Sequence, residues 1–128
     1  MRQPARRRLA AVALAAIAVA GLGACSNETD TSPQSASSCE ELVKSAAQLT
    51  RTIVRDLQGK TIADLRAANP EDPYAELLRP FDVYQKRAGE LGCDQGQLRR
   101  LACKEYQGIQ PNGPVSEEFL SRVPDTSC

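Results

Sequence analysis

The 128-residue chain contains no histidine. That absence removes the usual nitrogen ligand of zinc sites and the base of Ser-His and Cys-His catalytic pairs. There is no CxxC pair to suggest redox or metal chemistry, and no glycine-rich phosphate loop. Beyond residue 24 no stretch reaches even eight consecutive apolar residues, far below the length of a membrane span. Basic runs are missing there too, Arg99-Arg100 being the longest, which makes nucleic acid a poor partner. No alternating, β-branched stretch announces a strand, and no internal repeat is present. Acid and base work would fall to carboxylates, namely Glu40, Glu41, Asp82, Glu90, Glu117 and Glu118. Each has a simpler role as a helix-start charge or part of a solvated face. The expectation is therefore a non-enzymatic protein with no catalytic residues, no cofactor and no metal.

What the sequence does have is a distinctive start. Arg2, Arg6, Arg7 and Arg8 precede an apolar block of 12 residues, Leu9 to Ala20, and the small residues Gly21, Gly23 and Ala24 lead into Cys25. A basic segment, a short apolar segment and a small-residue boundary are the order of a secretory signal peptide. As a helix the block reaches roughly 18 Å, well short of the ~30 Å hydrocarbon core, so it does not serve as a permanent span. Leu22-Gly23-Ala24-Cys25 resembles the lipobox of bacterial lipoproteins. The resemblance implies cleavage before Cys25, a diacylglycerol on its thiol, and a mature chain held at the extracytoplasmic face of the cell membrane. Two acyl chains suffice for stable anchoring where one binds only marginally.

Without residues 1 to 24, four of the 16 Lys and Arg are lost and none of the 16 Asp and Glu, so twelve cations face sixteen anions, a net charge of −4. Ser26 to Ser38, SNETDTSPQSASS, has seven Ser or Thr and no large apolar side chain. Nothing in it offsets the entropy of ordering, so residues 25–38 read as the lipidated cysteine and a flexible tether, with an r.m.s. span of about 20 Å. Residues 39–128 are left as one domain. It has only about 23 large apolar residues for a core, and domains so supplied usually need staples.

The domain reads as all-α. Ser38 and Glu41 form a capping-box pattern ahead of Leu42, Ala46, Leu49, Ile53 and Leu57, with Gly59 as the stop; Val43, Ala47 and Val54 widen the apolar stripe. Thr61 and Asp64 repeat the pattern for a short second helix ended by Asn69-Pro70. Asp72 with Pro73 reads as the start of a third, lined by Tyr74, Leu77, Phe81, Tyr84, Ala88 and Leu91 up to Gly92. Pro80 falls inside it, predicting a kink or two coaxial pieces. Asp94 and Gln97 cap a fourth helix that Gly108 ends, and Val115, Ser116 and Leu120 point to a last one near Glu117 to Arg122.

Cys39, Cys93, Cys103 and Cys128 are an even set in an exported chain, which allows three disulfide connectivities. Cys39 opens the first long helix and Cys93 follows the third, and in an antiparallel pair those ends lie side by side. The expected pairs are Cys39 with Cys93 and Cys103 with Cys128, stapling a small helical bundle with antiparallel long helices. At Ser38-Cys39-Glu40-Glu41-Leu42-Val43 and Glu90-Leu91-Gly92-Cys93 the chain is similar to small secreted helical lipoproteins of high-GC Gram-positive bacteria, over residues 38 to about 101. That resemblance implies an envelope location and supports the Cys39–Cys93 bond, but implies no functional residue.

The functional expectation is a membrane-anchored binding module of the cell envelope, partnered by an envelope protein or a cell-wall component. The alternative is a carrier of a small ligand or lipid, with a pocket lined by Leu49, Ile53, Leu77, Phe81 and Tyr84.

Overall fold

The computed structural model describes residues 32–124. Over these the chain is all-α: a 3-10 turn at Pro33–Ser35, then α1 (Cys39–Asp56), α2 (Ile62–Ala68), α3 (Ala75–Glu90), α4 (Gln95–Tyr106) and α5 (Pro114–Arg122), with no strand among the described residues. The leader expected at residues 1–24, the expected acylation site Cys25 and the C-terminal Cys128 lie outside the described residues.

Local chemistry sets the helix starts. Ser38 Oγ accepts the Glu41 N–H at 3.2 Å to open α1, while the Glu41 carboxylate accepts from the backbone and hydroxyl of Ser37. At α2 the capping box is complete: the Thr61 N–H donates to Asp64 Oδ2 at 2.7 Å and the Asp64 N–H to Thr61 Oγ1 at 3.3 Å. Asp94 opens α4 by accepting the N–H groups of Gly96 and Gln97.

Two starts differ from the sequence expectation. Asp72 does not cap α3; its carboxylate accepts the Tyr74 N–H at 3.1 Å and its carbonyl the Ala75 N–H, which closes a turn and starts the helix later. α5 begins earlier, with Gly113 as N-cap and Pro114 in the first turn, where the missing proline N–H costs nothing. Pro80 leaves α3 continuous. Its missing donor frees one carbonyl, and the burial of Phe81, Tyr84 and Ala88 just beyond it, at roughly 1.5–3 kcal/mol for a large apolar side chain, outweighs that loss.

α1 packs along both α3 and α4. Its first half meets the end of α3 in a cluster of Ala36, Leu42, Ala46, Tyr84 and Ala88, and its last turn joins Tyr74, Phe81, Val115, Phe119 and Val123 in a second cluster. Inside, the Tyr84 hydroxyl lies 2.9 Å from Ser45 Oγ and Thr50 Oγ1 donates to the Ala46 carbonyl, while the buried Arg87 Nε has no hydrogen-bond partner among the described residues. Phe119 is fully buried, whereas Leu120, the residue the sequence pointed to, is only partly so. With Val115 inside the helix, Phe119 four residues on shares its buried face, and Leu120 lies one residue further round.

α3 ends in a Schellman motif: Gly92 sits at φ 70°, its N–H donates to the Gly89 carbonyl, and the Cys93 N–H reaches back to the Ala88 carbonyl at 2.9 Å. That turn delivers Cys93 to the start of α1, where it forms the expected disulfide with Cys39, Cα–Cα 5.8 Å. Cys103 is disulfide-bonded as well, and its expected partner Cys128 lies outside the described residues.

The tether does not run to Ser38. Ala36 is buried beside Leu42 and Tyr84, the Arg87 guanidinium donates to its carbonyl at 2.9 Å, and the 3-10 turn packs on α1 and α3. Composition gave no warning of this, because a single alanine and a backbone carbonyl make the attachment. Structure therefore begins at least as early as Ser32.

Candidate functional site

Among the described residues the five that would line a carrier's pocket are divided: Phe81 and Tyr84 share a small concavity of about 70 Å³, and Leu49 and Tyr84 border another. Phe81 and Tyr84 belong to the two core clusters, and Leu49, Ile53 and Leu77 pack against them. The second of these concavities, a hollow of about 280 Å³, is also lined by Pro33, Pro80 and Val83. The larger concavity, about 570 Å³ and open along one side, lies between α2 and α5.

This groove is assembled from four separate segments. Gly59, at φ 74°, allows the sharp turn after α1 that places Lys60 and Thr61 at one edge. The capping box then holds α2, so that Ile62 stands on the wall, 38% exposed. The Asp72 turn directs Tyr74 inward to form the floor together with Val115, both buried. The opposite wall is the first turns of α5, pinned to α1 by Asn112, whose Nδ2 donates to the Val54 carbonyl at 2.7 Å and whose N–H donates to Ser116 Oγ at 2.8 Å.

Charge on the rim is lopsided. Lys60, Arg66 and Arg122 line the groove against a single carboxylate, Glu118. Arg122 is engaged: its guanidinium carbon lies 4.7 Å above the Tyr74 ring centre, its Nε donates to Glu118 at 2.8 Å, and Asp72 is 3.9 Å away. Its charge is held by the Glu118 hydrogen bond, and burial pushes the Tyr74 phenol above its ordinary value. Lys60 and Arg66 take part in no ion pair among the described residues. Two cations outside any ion pair therefore flank an apolar slot, Lys60 close enough to Asp64 to help hold that carboxyl low.

The staple is remote from this site. Cys39 and Cys93 are at the start of α1, and the groove forms beyond its end, roughly 27 Å away along an 18-residue helix. Four of the six carboxylates considered in the sequence are held locally: Glu40 by Lys44, Glu41 by Ser37, Glu90 by Arg87 and Glu118 by Arg122. Among the described residues no group of three or more Cys, Asp or Glu is placed to hold a metal. No family model, curated protein or solved structure matches the chain. The site stands on its geometry.

Proposed function

We infer that this protein is a lipoprotein of the outer face of the cell membrane, cut before Cys25 and held there by a diacylglyceryl group on that thiol. Its helical domain acts as a non-enzymatic binding module for an envelope partner. The order of the N-terminus carries this: four arginines, a 12-residue apolar block too short to span, and Leu-Gly-Ala-Cys. The Cys39–Cys93 bond supports it, since structural disulfides persist in oxidising compartments outside the cytosol. The groove between α2 and α5 is the surface best suited to a ligand, because it combines an apolar floor with a few placed charges. Its volume falls within the small-molecule range, which favours the carrier as a second reading.

Metabolic labelling with an alkyne-bearing palmitate tests the anchor. The wild-type chain should take up label and stay with membranes through a high-salt wash, and a Cys25→Ser chain should do neither. A serine chain that remains membrane-bound after the wash sinks the lipid anchor.

A further inference from the structure

We propose that the groove between α2 and α5 binds a single-chain fatty acid, its carboxylate held by Lys60 and Arg66 and its alkyl chain lying over Ile62, Tyr74 and Val115. Three observations lead there. Half of the residues lining the slot are apolar, including the exposed Ile62, and its volume of about 570 Å³ suits a small ligand. Lys60 and Arg66 stand on the rim outside any ion pair, Lys60 sensing only the nearby Asp64, and so can take an anion, whereas Arg122 is already engaged by Glu118 and the Tyr74 ring. Every wall of the slot is helix or loop, so no strand edge is offered to an extended peptide.

The short reach of the anchor adds to this and rests on the lipoprotein reading. Because the packed structure begins by Ser32, only residues 26 to 31 separate it from Cys25, and seven residue steps cannot exceed about 25 Å. An acylated Cys25 would thus keep the domain beside the bilayer surface, where single-chain amphiphiles enter and leave. Carboxylate and alkyl chain would be recognised separately. Two exposed ion pairs contribute roughly tenfold between them, and each methylene removed from water about fourfold when fully covered.

The chain has no tryptophan, so one introduced residue gives a clean signal. Ile62→Trp reports from the groove, and Val83→Trp, at a site 41% exposed on α3 beside the hollow at Pro33 and Pro80, serves as the control and shows whether quenching is particular to the groove. The full mature protein would be placed in phosphatidylcholine nanodiscs and titrated with 10-bromodecanoate, 8-bromooctanoate and a bromodecyl trimethylammonium salt. Saturable quenching by 10-bromodecanoate is expected at position 62 and not at 83. It should be at least tenfold weaker for the cationic probe, and roughly four- to fifteenfold weaker for the eight-carbon acid. Adding Lys60→Gln and Arg66→Gln to the reporter should weaken decanoate about tenfold, with circular dichroism checking that the fold is retained.

Linear quenching at both positions, or equal response to both headgroup charges, would mean simple partitioning and overturns the proposal. No quenching at position 62 overturns it as well and leaves the groove to a macromolecular partner. The titration scores the groove whether or not Cys25 is acylated, so a negative result here leaves the palmitate labelling, and the anchor it tests, untouched.

Discussion

Replacing Cys39 and Cys93 together by serine removes one bond and leaves the disulfide at Cys103 in place, which a reducing agent would not. The bond closes a loop across a sequence separation of 54 that contains α1, α2 and α3. In the chain-entropy model, opening a loop of that length returns to the unfolded state an entropy equivalent to about 4 kcal/mol at 25 °C. Both cysteines are partly exposed, so the serine pair should add little cavity cost in the native state. Small domains have a total stability of roughly 5–15 kcal/mol, so the double variant should stay folded in the cold but melt early. With an unfolding entropy near 2.1 cal/mol/K for each of about 93 residues, 4 kcal/mol corresponds to a fall of roughly 20 °C in Tm. Urea titrations of oxidised wild type and variant, followed by circular dichroism, measure the difference. The variant's m value should also rise slightly, because an unstapled chain exposes more surface when unfolded. A loss below about 1 kcal/mol with unchanged m would refute the reasoning, since it would show that the two ends stay together without the bond.

Other substitutions separate local from global contributions. Gly92→Ala places a side chain at φ 70° with nothing within 4 Å of the new Cβ, so its cost should be the left-handed backbone strain alone, roughly 1–2 kcal/mol in a urea titration. Phe119→Ala empties the most buried position of the cluster shared by α1, α3 and α5 and should cost about 3–5 kcal/mol; a loss under 1 kcal/mol would mean that α5 does not seal the core. Acid should destabilise the fold through its caps. Hydrogen bonds from Thr61 to Asp64, from Gly96 and Gln97 to Asp94, and from Ser37 to Glu41 hold these carboxyls below their ordinary values. Carboxyls depressed in the folded state contribute stability above their unfolded pKa, about 4, and lose it as pH falls through the lower folded values. Tm should therefore be level from about pH 7 to 5 and decline below about 4, and Asp64→Asn with Asp94→Asn should flatten that decline.

The parts of the fold that were legible from sequence are those with short-range chemistry. Ser38, Thr61 and Asp94 announced α1, α2 and α4 because an oxygen at the N-cap answers a need confined to one turn. Gly59, Gly92 and Gly108 announced the stops for the same reason, each adopting a φ of 70–81°. Asp72 carried the same signal and was misleading, since an aspartate closes a turn ahead of a helix as readily as it caps one. At α5 the pair Gly113-Pro114 was the better marker than Ser116, whose hydroxyl joins Asn112 instead. The packing of Ala36 escaped notice because it depends on Arg87, 51 residues away. The groove was illegible for a related reason: Lys60, Tyr74, Val115 and Arg122 share no local pattern and meet only when α5 closes over the turn after α1.

The most direct test of the account is the intact mass of the protein extracted from membranes, with fragmentation of its N-terminal peptide. The expected species is a chain that begins at residue 25, with a diacylglyceryl group on the Cys25 sulfur and a bond between Cys39 and Cys93. A full-length chain starting at Met1, or a mature chain with a bare thiol at Cys25, would contradict the account.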